Sequence, residues 1–197
     1  VVEAVSIALH AVSRTRVRLN DTALVVGAGM IGILAVQSLR AAGCGRIFAA
    51  DLVPARLELA RKLGADEVLR SDAIDVAQEI LKRTGGRGVD VAVEAVGLTP
   101  TLQAAVASLR KGGQLTLIGN FAPQVELPLQ VVVTRELTLN GSCASCGEYP
   151  ACLDLIARGT VDVDSLTSAV APLEEGPTWF KRLYEGKEPL MKVILEP

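Results

Sequence analysis

Short apolar runs alternate with segments of helical spacing along most of the chain. Six strands are predicted from the apolar runs, at residues 22–26, 47–50, 67–69, 89–96, 114–118 and 136–140. The clearest helical spacing, i, i+3, i+4, i+7, is formed by Leu102, Ala105, Val106 and Leu109. Strands that alternate with helices predict right-handed crossovers and a parallel sheet with helices on both faces. The predicted fold class is therefore α/β, with a doubly wound six-stranded parallel sheet.

Other helices are predicted from weaker patterns. A helix is expected over residues 3–16, and Gly112 and Gly113 are expected to end the helix before the fifth strand. In the helix after the second strand, Ala55, Leu59 and Leu63 are expected to share one face. After the third strand, Ile74, Ala77 and Leu81 fit one helical face. At the end of the chain, the sequence pattern predicts a strand at 166–171, a helix at 173–184 and a strand at 191–195. These last elements need not join the main sheet.

The first predicted strand runs directly into a glycine-rich turn. Gly27, Gly29 and Gly32 are spaced as G-x-G-x-x-G, and a helical segment follows them. In a dinucleotide-binding turn, the first glycine allows a sharp turn, the second admits a pyrophosphate, and the third lets the helix pack against the strand. The N–H groups and dipole at the helix N-terminus favour an anion at the same place. A plain structural turn is the alternative interpretation.

A carboxylate after the second strand strengthens the dinucleotide interpretation. Asp51 ends the run 47–50 and lies 19 residues after Gly32. An acidic residue at this position accepts hydrogen bonds from an adenosine ribose in Rossmann-type domains. Asp51 is followed by Leu52 and Val53, with no immediate basic residue to neutralise a 2′-phosphate. The sequence therefore predicts NAD rather than NADP.

Composition excludes several other classes. The net charge is −2 and no basic stripe occurs, so nucleic acid is not an expected partner. No apolar run approaches the roughly 18 residues that span a bilayer, so no membrane association is expected. Half of the 197 residues are hydrophobic, which is enough for a large core without disulfides. The four cysteines therefore favour a reducing, cytoplasmic location.

The spacing of three of these cysteines raises the question of a metal site. Cys143-x-x-Cys146 is followed by Cys152, but no fourth ligand lies near them and His10 is the only histidine. A structural zinc site requires four ligands. Small buried thiols are therefore the favoured interpretation of Cys143, Cys146 and Cys152.

The order of motifs resembles the zinc-containing medium-chain dehydrogenases, and most closely their sorbitol and sugar-alcohol branch. The matching segments cover nearly the whole chain: Glu3…His10-Ala11, 27–32, Asp51…Arg56-Leu57, 63–66, Glu94-Ala-Val-Gly97, 110–113, Gly141-Ser142…Tyr149-Pro150, and 172–175…Lys192-Val193. The resemblance implies a connecting helix at 1–16, a Rossmann dinucleotide-binding domain at 17–147, and a segment at 148–197 that returns to a second, largely absent catalytic domain.

The resemblance also implies the cofactor and its contacts. The cofactor would be NAD, with zinc in the full-length enzyme acting on a polyol or other small alcohol. The implied cofactor-binding residues are Gly27, Gly29, Met30, Ile31, Gly32, Asp51, Leu52, Arg56, Val96, Gly97, Ile118, Gly119, Asn120, Ser142 and Cys143. Glu3 corresponds to a glutamate that can ligate the catalytic zinc, although a first-turn helix glutamate favoured by the dipole is the alternative. No catalytic residue is assigned in this chain, which alone is expected to be inactive.

Two other functions stay open on the sequence. One is a zinc-free NADPH quinone or enoyl reductase of the same fold, against which Asp51 argues. The other is a non-enzymatic module that binds a nucleotide or a methyl donor. A homo-oligomer is also expected, because the sixth strand around Leu137 and Leu139 would form an unpaired sheet edge.

Overall fold

The structure is a computed structural model that describes residues 1–197. Eight β-strands are present: β1 Thr22–Val26, β2 Arg46–Asp51, β3 Glu67–Arg70, β4 Val89–Glu94, β5 Leu109–Leu117, β6 Thr138–Gly141, β7 Thr167–Pro172 and β8 Lys192–Glu196. The α-helices are α1 Val2–Ser13, α2 Met30–Ala41, α3 Pro54–Lys62, α4 Val76–Arg83, α5 Thr99–Ser108, α6 Leu129–Thr134, α7 Tyr149–Ala157 and α8 Gly176–Glu185.

The first six strands form one sheet in the order β3-β2-β1-β4-β5-β6, and every pair in it is parallel. This order is that of the two-halved nucleotide-binding fold, with the chain reversing direction across the sheet between β1 and β4. The predicted fold class, a doubly wound six-stranded parallel sheet, is confirmed. All carboxyl ends of these strands therefore lie along one edge of the sheet.

The central strands are buried on both faces, which explains why they are continuously apolar. Along β1, Ala23 and Val25 point into one core and Leu24 and Val26 into the other. The first core is covered by α1, α2, α3 and α7, and the second by α4 and α5. The predicted face of α5 is confirmed, since its apolar residues are fully or nearly fully buried.

The faces predicted for α3 and α4 are right only in part. Leu59 and Leu63 are half-buried and pack against the first core, and Ile74 packs against the second. In α3 the buried residues are Leu57 and Ala60, whereas Ala55 is exposed. In α4 the buried residues are Val76 and Ile80. Both helices are short and carry apolar residues on more than one side, so several i, i+4 sets fitted the pattern and only the packing direction selects between them.

The start of the fifth strand also differs from the prediction. Gly112 and Gly113 do not precede β5 but lie within it, because β5 begins at Leu109. The pairing between β4 and β5 shifts register between Val89 and Val91, where the glycine pair is accommodated. Two helices, α6 and α7, were not predicted; α7 begins at Tyr149-Pro150, where proline fits the first helical turn.

The end of the chain forms the predicted strand, helix and strand, in a separate two-stranded sheet of β7 and β8. Before it, α7 packs beside α1 and places Cys152 in the first core. His10 of α1 and Glu148 at the start of α7 form a hydrogen bond with an Nδ1–Oε1 distance of 2.6 Å. The division at residues 16 and 147 stays a prediction. None of the helices is both long enough and apolar enough to cross a membrane.

Candidate functional site

The glycine-rich turn lies at the carboxyl end of β1 and leads into α2. Gly27 has a φ of +96°, which an L-amino acid side chain rarely permits, and its N–H donates to the carbonyl of Ala50 on β2. The first N–H groups of α2 have no partner within the helix, and no side chain caps this end of it. A Cβ on Gly29 would meet no atom within 4 Å. The turn thus presents backbone donors and open space to an anion.

Asp51 holds this turn to the second strand. Its Oδ2 accepts a hydrogen bond from the N–H of Ala28 at 2.7 Å, and its Oδ1 accepts one from the N–H of Val53 at 2.8 Å. Each carboxylate oxygen has two lone pairs, so Asp51 can still accept hydrogen bonds from a ligand. Its side chain therefore has a structural role as well as the predicted binding role.

A cavity of about 520 Å³, here called the Asp51 cavity, opens beside this carboxylate. Five of the predicted cofactor residues line it: Gly27, Asp51, Leu52, Arg56 and Val96. Its remaining walls are mostly apolar side chains that come from around α4 and α5, including Ile74, Val76, Leu98, Pro100 and Ala104. An apolar slot that carries two carboxylates, Asp51 and Asp75, and one guanidinium suits a flat heterocycle attached to a sugar.

A second cavity, here called the Asn120 cavity, has a volume of about 550 Å³ and lies at the ends of β5 and β6. It is lined by six more of the predicted residues: Ile31, Ile118, Gly119, Asn120, Ser142 and Cys143. Ile7 of α1 also lines it, which the sequence did not indicate. Because Gly27 lines the first cavity and Ile31 the second, the glycine turn connects the two.

The four other predicted residues line neither cavity. Gly29, Met30 and Gly32 lie in the turn and the first residues of α2, and Gly97 follows β4. A Cβ on Gly97 would lie 2.4 Å from the amide nitrogen of Asn120, so the loops after β4 and β5 touch backbone to backbone. Gly97 therefore lines no cavity itself but allows these two loops to pack closely together.

Glu94 is the residue at this edge that the sequence prediction missed. Its carboxylate is buried and accepts hydrogen bonds from the N–H groups of Val96 and Gly97 at 2.9–3.0 Å. Its own carbonyl accepts from Ile118 and Gly119. One residue therefore fixes both loops that separate the cavities. The available signal was an acidic residue in an apolar strand, three positions before a glycine.

Besides two cavities, the chain has a buried polar atom that a dinucleotide could bind. Ser142 has a buried hydroxyl with no hydrogen-bond partner, although its N–H is bonded to the carbonyl of Leu117 at 2.9 Å. A buried polar atom without a partner is unfavourable by about 1–3 kcal/mol, which a polar ligand group in the Asn120 cavity would relieve. Together with the open space at Gly29, this hydroxyl fits a ligand with polar groups at both ends.

The residues of this chain do not form a zinc site. No group of three or more His, Cys, Asp or Glu side chains is arranged to hold a metal ion. Glu3 is exposed in the first turn of α1, which is also where the helix dipole favours a carboxylate. Its predicted role as a zinc ligand is not tested by this arrangement and stays a prediction.

The four cysteines fall into two classes, and the expectation of buried thiols is wrong for one of them. Cys44 and Cys152 are buried, whereas Cys143 and Cys146 are exposed in the loop after β6. Burial raises the pKa of the Cys44 thiol to about 12, with the charge of Asp21 adding to the effect, and burial also raises the pKa of Cys152. The two exposed cysteines lie in the segment between the end of β6 and the start of α7, which belongs to no helix or strand.

Comparison with known proteins gives a consistent result. A family model described as zinc-binding dehydrogenase matches residues 31–158. Sorbitol dehydrogenase of Bacillus subtilis (strain 168) is 35% identical over 198 residues, a match that takes in 100% of this chain and 56% of that protein. The chain therefore spans little more than half the length of this relative.

Solved structures agree with the sequence comparison. The crystal structure of 2R,3R-butanediol dehydrogenase from Bacillus subtilis matches with a TM-score of 0.91 at 32% identity, covering 100% of this chain and 56% of that one. A zinc-binding dehydrogenase from Sinorhizobium meliloti 1021, bound to NADP, matches with a TM-score of 0.92 at 26% identity and is covered to 58%.

Proposed function

This chain belongs to the zinc-binding dehydrogenase family, and we propose that it forms the NAD-binding part of an alcohol dehydrogenase that acts on sugar alcohols or related polyols. One observation carries the proposal: a glycine turn with an uncapped helix N-terminus connects two cavities at the carboxyl edge of the sheet. This is the edge at which ligands bind in open parallel sheets. The polyol class is supported by the similarity to a sorbitol dehydrogenase.

In this proposal, the dinucleotide lies across the edge of the sheet. The adenosine occupies the Asp51 cavity, with Asp51 and Arg56 at its mouth, and Leu52 and Val96 in its wall. The pyrophosphate meets the turn that contains Gly27, Gly29, Met30 and Gly32. The nicotinamide occupies the Asn120 cavity, against Ile31, Ile118, Gly119, Asn120, Ser142 and Cys143. Gly97 keeps the loop after β4 close to Asn120.

The contribution of the chain to catalysis would be positioning. A bound nicotinamide accepts or donates the hydride, which is chemistry that the cofactor supplies. The chain would fix the ring by the backbone of 118–120 on one side and the buried hydroxyl of Ser142 on the other. Ile7 and Ile31 would keep water from the face that they cover.

Zinc enters the proposal only through the family. The residues of this chain form no zinc site, so no step of the reaction is assigned to a metal here. The cytoplasmic location also stays a proposal, and it is supported by four cysteines that are all free thiols.

Replacing Gly29 by alanine tests the proposed function. The added Cβ meets no atom of the protein within 4 Å and the backbone φ is −69°, so folding should be unchanged. If the pyrophosphate lies against this backbone, the methyl group would displace it, and NADH affinity should fall by about tenfold or more, ~1.4 kcal/mol. The measurement is a fluorescence titration with NADH, together with the thermal unfolding midpoint. Equal affinity of the two proteins for NADH would contradict the assignment.

The same titration separates the alternative functions. S-adenosylmethionine has no pyrophosphate and no nicotinamide, so a methyl-donor-binding module would bind it in preference to NADH. A preference for NADPH would instead favour a reductase of the quinone or enoyl type. The NADP bound to the Sinorhizobium meliloti protein and the position of Arg56 in the Asp51 cavity make this comparison necessary.

Replacing Asp51 by asparagine should reduce the preference for NAD. A carboxylate at this position repels a 2′-phosphate and accepts hydrogen bonds from the ribose hydroxyls. The amide removes the charge, while Arg56 stays in the same cavity. It also turns an N–H group toward the N–H of either Ala28 or Val53, so the thermal unfolding midpoint is measured beside the affinities. We expect the ratio of NADH to NADPH affinity to fall by about tenfold, and Asp51→Gly to relax the preference further. Wild-type protein that bound NADPH as tightly as NADH would overturn the assignment of NAD.

We further propose a homodimer formed through β6. The two outer strands of the sheet differ: β3 carries Glu67 and Arg70, whose ion pairs discourage pairing, whereas β6, Thr138–Gly141, has no charged residue. Sedimentation of the wild type should therefore give a dimer, and Thr138→Lys, which places a charge on the exposed edge, should give a monomer. A wild-type monomer at micromolar concentration would exclude this interface.

A further inference from the structure

The loop between β6 and α7 contains two thiols whose redox chemistry none of the functions above uses, although Cys143 is also a proposed nicotinamide contact. Cys143 and Cys146 are both exposed and free, and they are separated by two residues. Cys143 lines the Asn120 cavity, together with Ser142 and Ala144. The two other cysteines of the chain are buried, so an oxidant in solution reaches this pair first.

The backbone of the loop turns between the two cysteines. Ala144 has a φ of +52° and Gly147 a φ of +87°, so the chain bends within and just after the pair. Three residues of extended chain would separate the two Cα atoms by roughly 10 Å, whereas a disulfide requires a Cα separation of about 4.4–6.8 Å. The bend at Ala144 shortens this separation in the direction that a disulfide needs.

Both ends of the loop are fixed, so a change within it is confined to a few residues. At one end, the N–H of Ser142 is bonded to the carbonyl of Leu117. At the other end, Glu148 accepts a hydrogen bond from the N–H of Cys146 and is hydrogen-bonded to Nδ1 of His10 of α1. The buried hydroxyl of Ser142 therefore lies directly next to the segment that would move.

We propose that Cys143 and Cys146 are a thiol–disulfide site, and that their oxidation by a low-molecular-weight disulfide lowers the affinity of the Asn120 cavity for its ligand. The reaction forms one S–S bond between the two Sγ atoms and breaks the S–S bond of the oxidant. The two thiol protons pass to the two thiolates released, and two electrons leave the protein. The side chain of Cys143, which lines the cavity in the dithiol form, is drawn toward Cys146 in the disulfide form.

The second part of this inference rests on the proposed function, because the ligand of the cavity is taken to be nicotinamide. The formation of the disulfide does not rest on it. The two parts are therefore tested by separate measurements, one of the thiols and one of binding.

The first measurement uses the chain in a glutathione buffer with the reduced form in excess. Free glutathione reverses mixed disulfides under these conditions, but a second thiol held in place competes with it at a high effective concentration. After alkylation, mass mapping should find an internal link between Cys143 and Cys146 in the wild type. Mixed disulfides alone, or disulfide-linked dimers, would overturn the assignment of the site.

The second measurement is NADH titration of the oxidised and reduced chains. We expect the dissociation constant to rise at least threefold on oxidation and to return after dithiothreitol. Cys146→Ser changes a residue outside both cavities. It should bind NADH as tightly as the reduced wild type, both in the glutathione buffer and in dithiothreitol. An internal disulfide that left the dissociation constant for NADH unchanged would overturn the proposal that oxidation controls binding. A reduced chain that bound no NADH would instead refute the proposed function, and the mass mapping would still decide the dithiol.

Discussion

Replacing Gly32 by alanine is expected to destabilise the whole domain and to abolish dinucleotide binding. The added Cβ would lie 1.7 Å from the carbonyl oxygen of Gly27 and 2.9 Å from its carbonyl carbon. Both atoms belong to the backbone of the turn, so no side chain can rotate away to make room. The first turn of α2 must move off β1, and the residues of α2 that fill the first core must move with it.

The expected size of this effect is at the upper end for overpacking, about 3 kcal/mol or more. For a chain of this length, the thermal midpoint should fall by roughly 6–12 °C. Thermal unfolding followed by circular dichroism measures the shift. Gly29→Ala is the matched control, because it adds the same methyl group three residues away into open space. A Gly32→Ala protein as stable as the Gly29→Ala protein would show that the close approach of helix and strand is not required.

Replacing Asp90 by asparagine should produce the second large loss of stability. Its side chain is only 7% exposed and accepts hydrogen bonds from Arg110 Nε at 2.7 Å, from Arg87 at 2.6 and 3.1 Å, and from the N–H of Thr22 at 2.9 Å. These bonds join the amino ends of β1, β4 and β5. An amide places N–H groups against the guanidinium groups, so we expect a loss of roughly 3 kcal/mol in the free energy of unfolding.

Urea denaturation measures this loss, and Asp72→Asn provides the control. Asp72 also forms an ion pair with an arginine, Arg70, but its side chain is 43% exposed, so its replacement should leave the denaturation midpoint unchanged. Equal midpoints for the wild type and Asp90→Asn would refute the role of Asp90.

The pH dependence of the difference gives an independent check. Burial alone would raise the pKa of Asp90, but the hydrogen bonds from Arg87, Arg110 and Thr22 outweigh it and hold the pKa well below its usual range. A lowered pKa contributes stability that is complete above the unfolded value of about 3.9 and is lost as the pH falls through the folded value. The difference between wild type and Asp90→Asn should therefore be constant near neutral pH and should shrink only in strong acid.

The sequence predicted the strands of the sheet more completely than the helix faces that pack against it. The strands β1, β2 and β4 were found because each is a mainly apolar run, and such runs arise where both faces of a strand are covered. The outer strands β3 and β6 have only one or two apolar residues each and are partly exposed. The most buried residues of α3, Leu57 and Ala60, were not distinguished from Leu59, which only packs against the first core, because all three are apolar and only the position of the sheet decides which is buried. The start of β5 was missed because Gly112 and Gly113 signal a break, whereas here they lie in an irregular part of a strand.

The sequence named the candidate cofactor residues but did not show that they fall into two cavities. Eleven of the fifteen line one of the two cavities. Strand ends and glycines indicated some of them, whereas Arg56, Ile118 and Cys143 were implied by the family resemblance, and the binding role of all of them stays a prediction. Glu94 was not recognised, because a buried carboxylate bonded only to backbone N–H groups has no partner that is visible in a sequence. The exposure of Cys143 and Cys146 depends on what packs around the segment between β6 and α7, and no local pattern reports that.

The two cavities are built from different material, and this bears on how cofactor preference could evolve. The Asp51 cavity is walled mainly by side chains around α4 and α5, so single substitutions there can reshape it while the backbone stays in place. The Asn120 cavity is walled mostly by loop residues, and one of them, Gly119, contacts the backbone of Gly97 so closely that neither glycine leaves room for a side chain. Selection can therefore change the residues that recognise the adenosine end of a dinucleotide, while the nicotinamide end keeps its position. A laboratory search for altered cofactor use should concentrate its library on the Asp51 cavity.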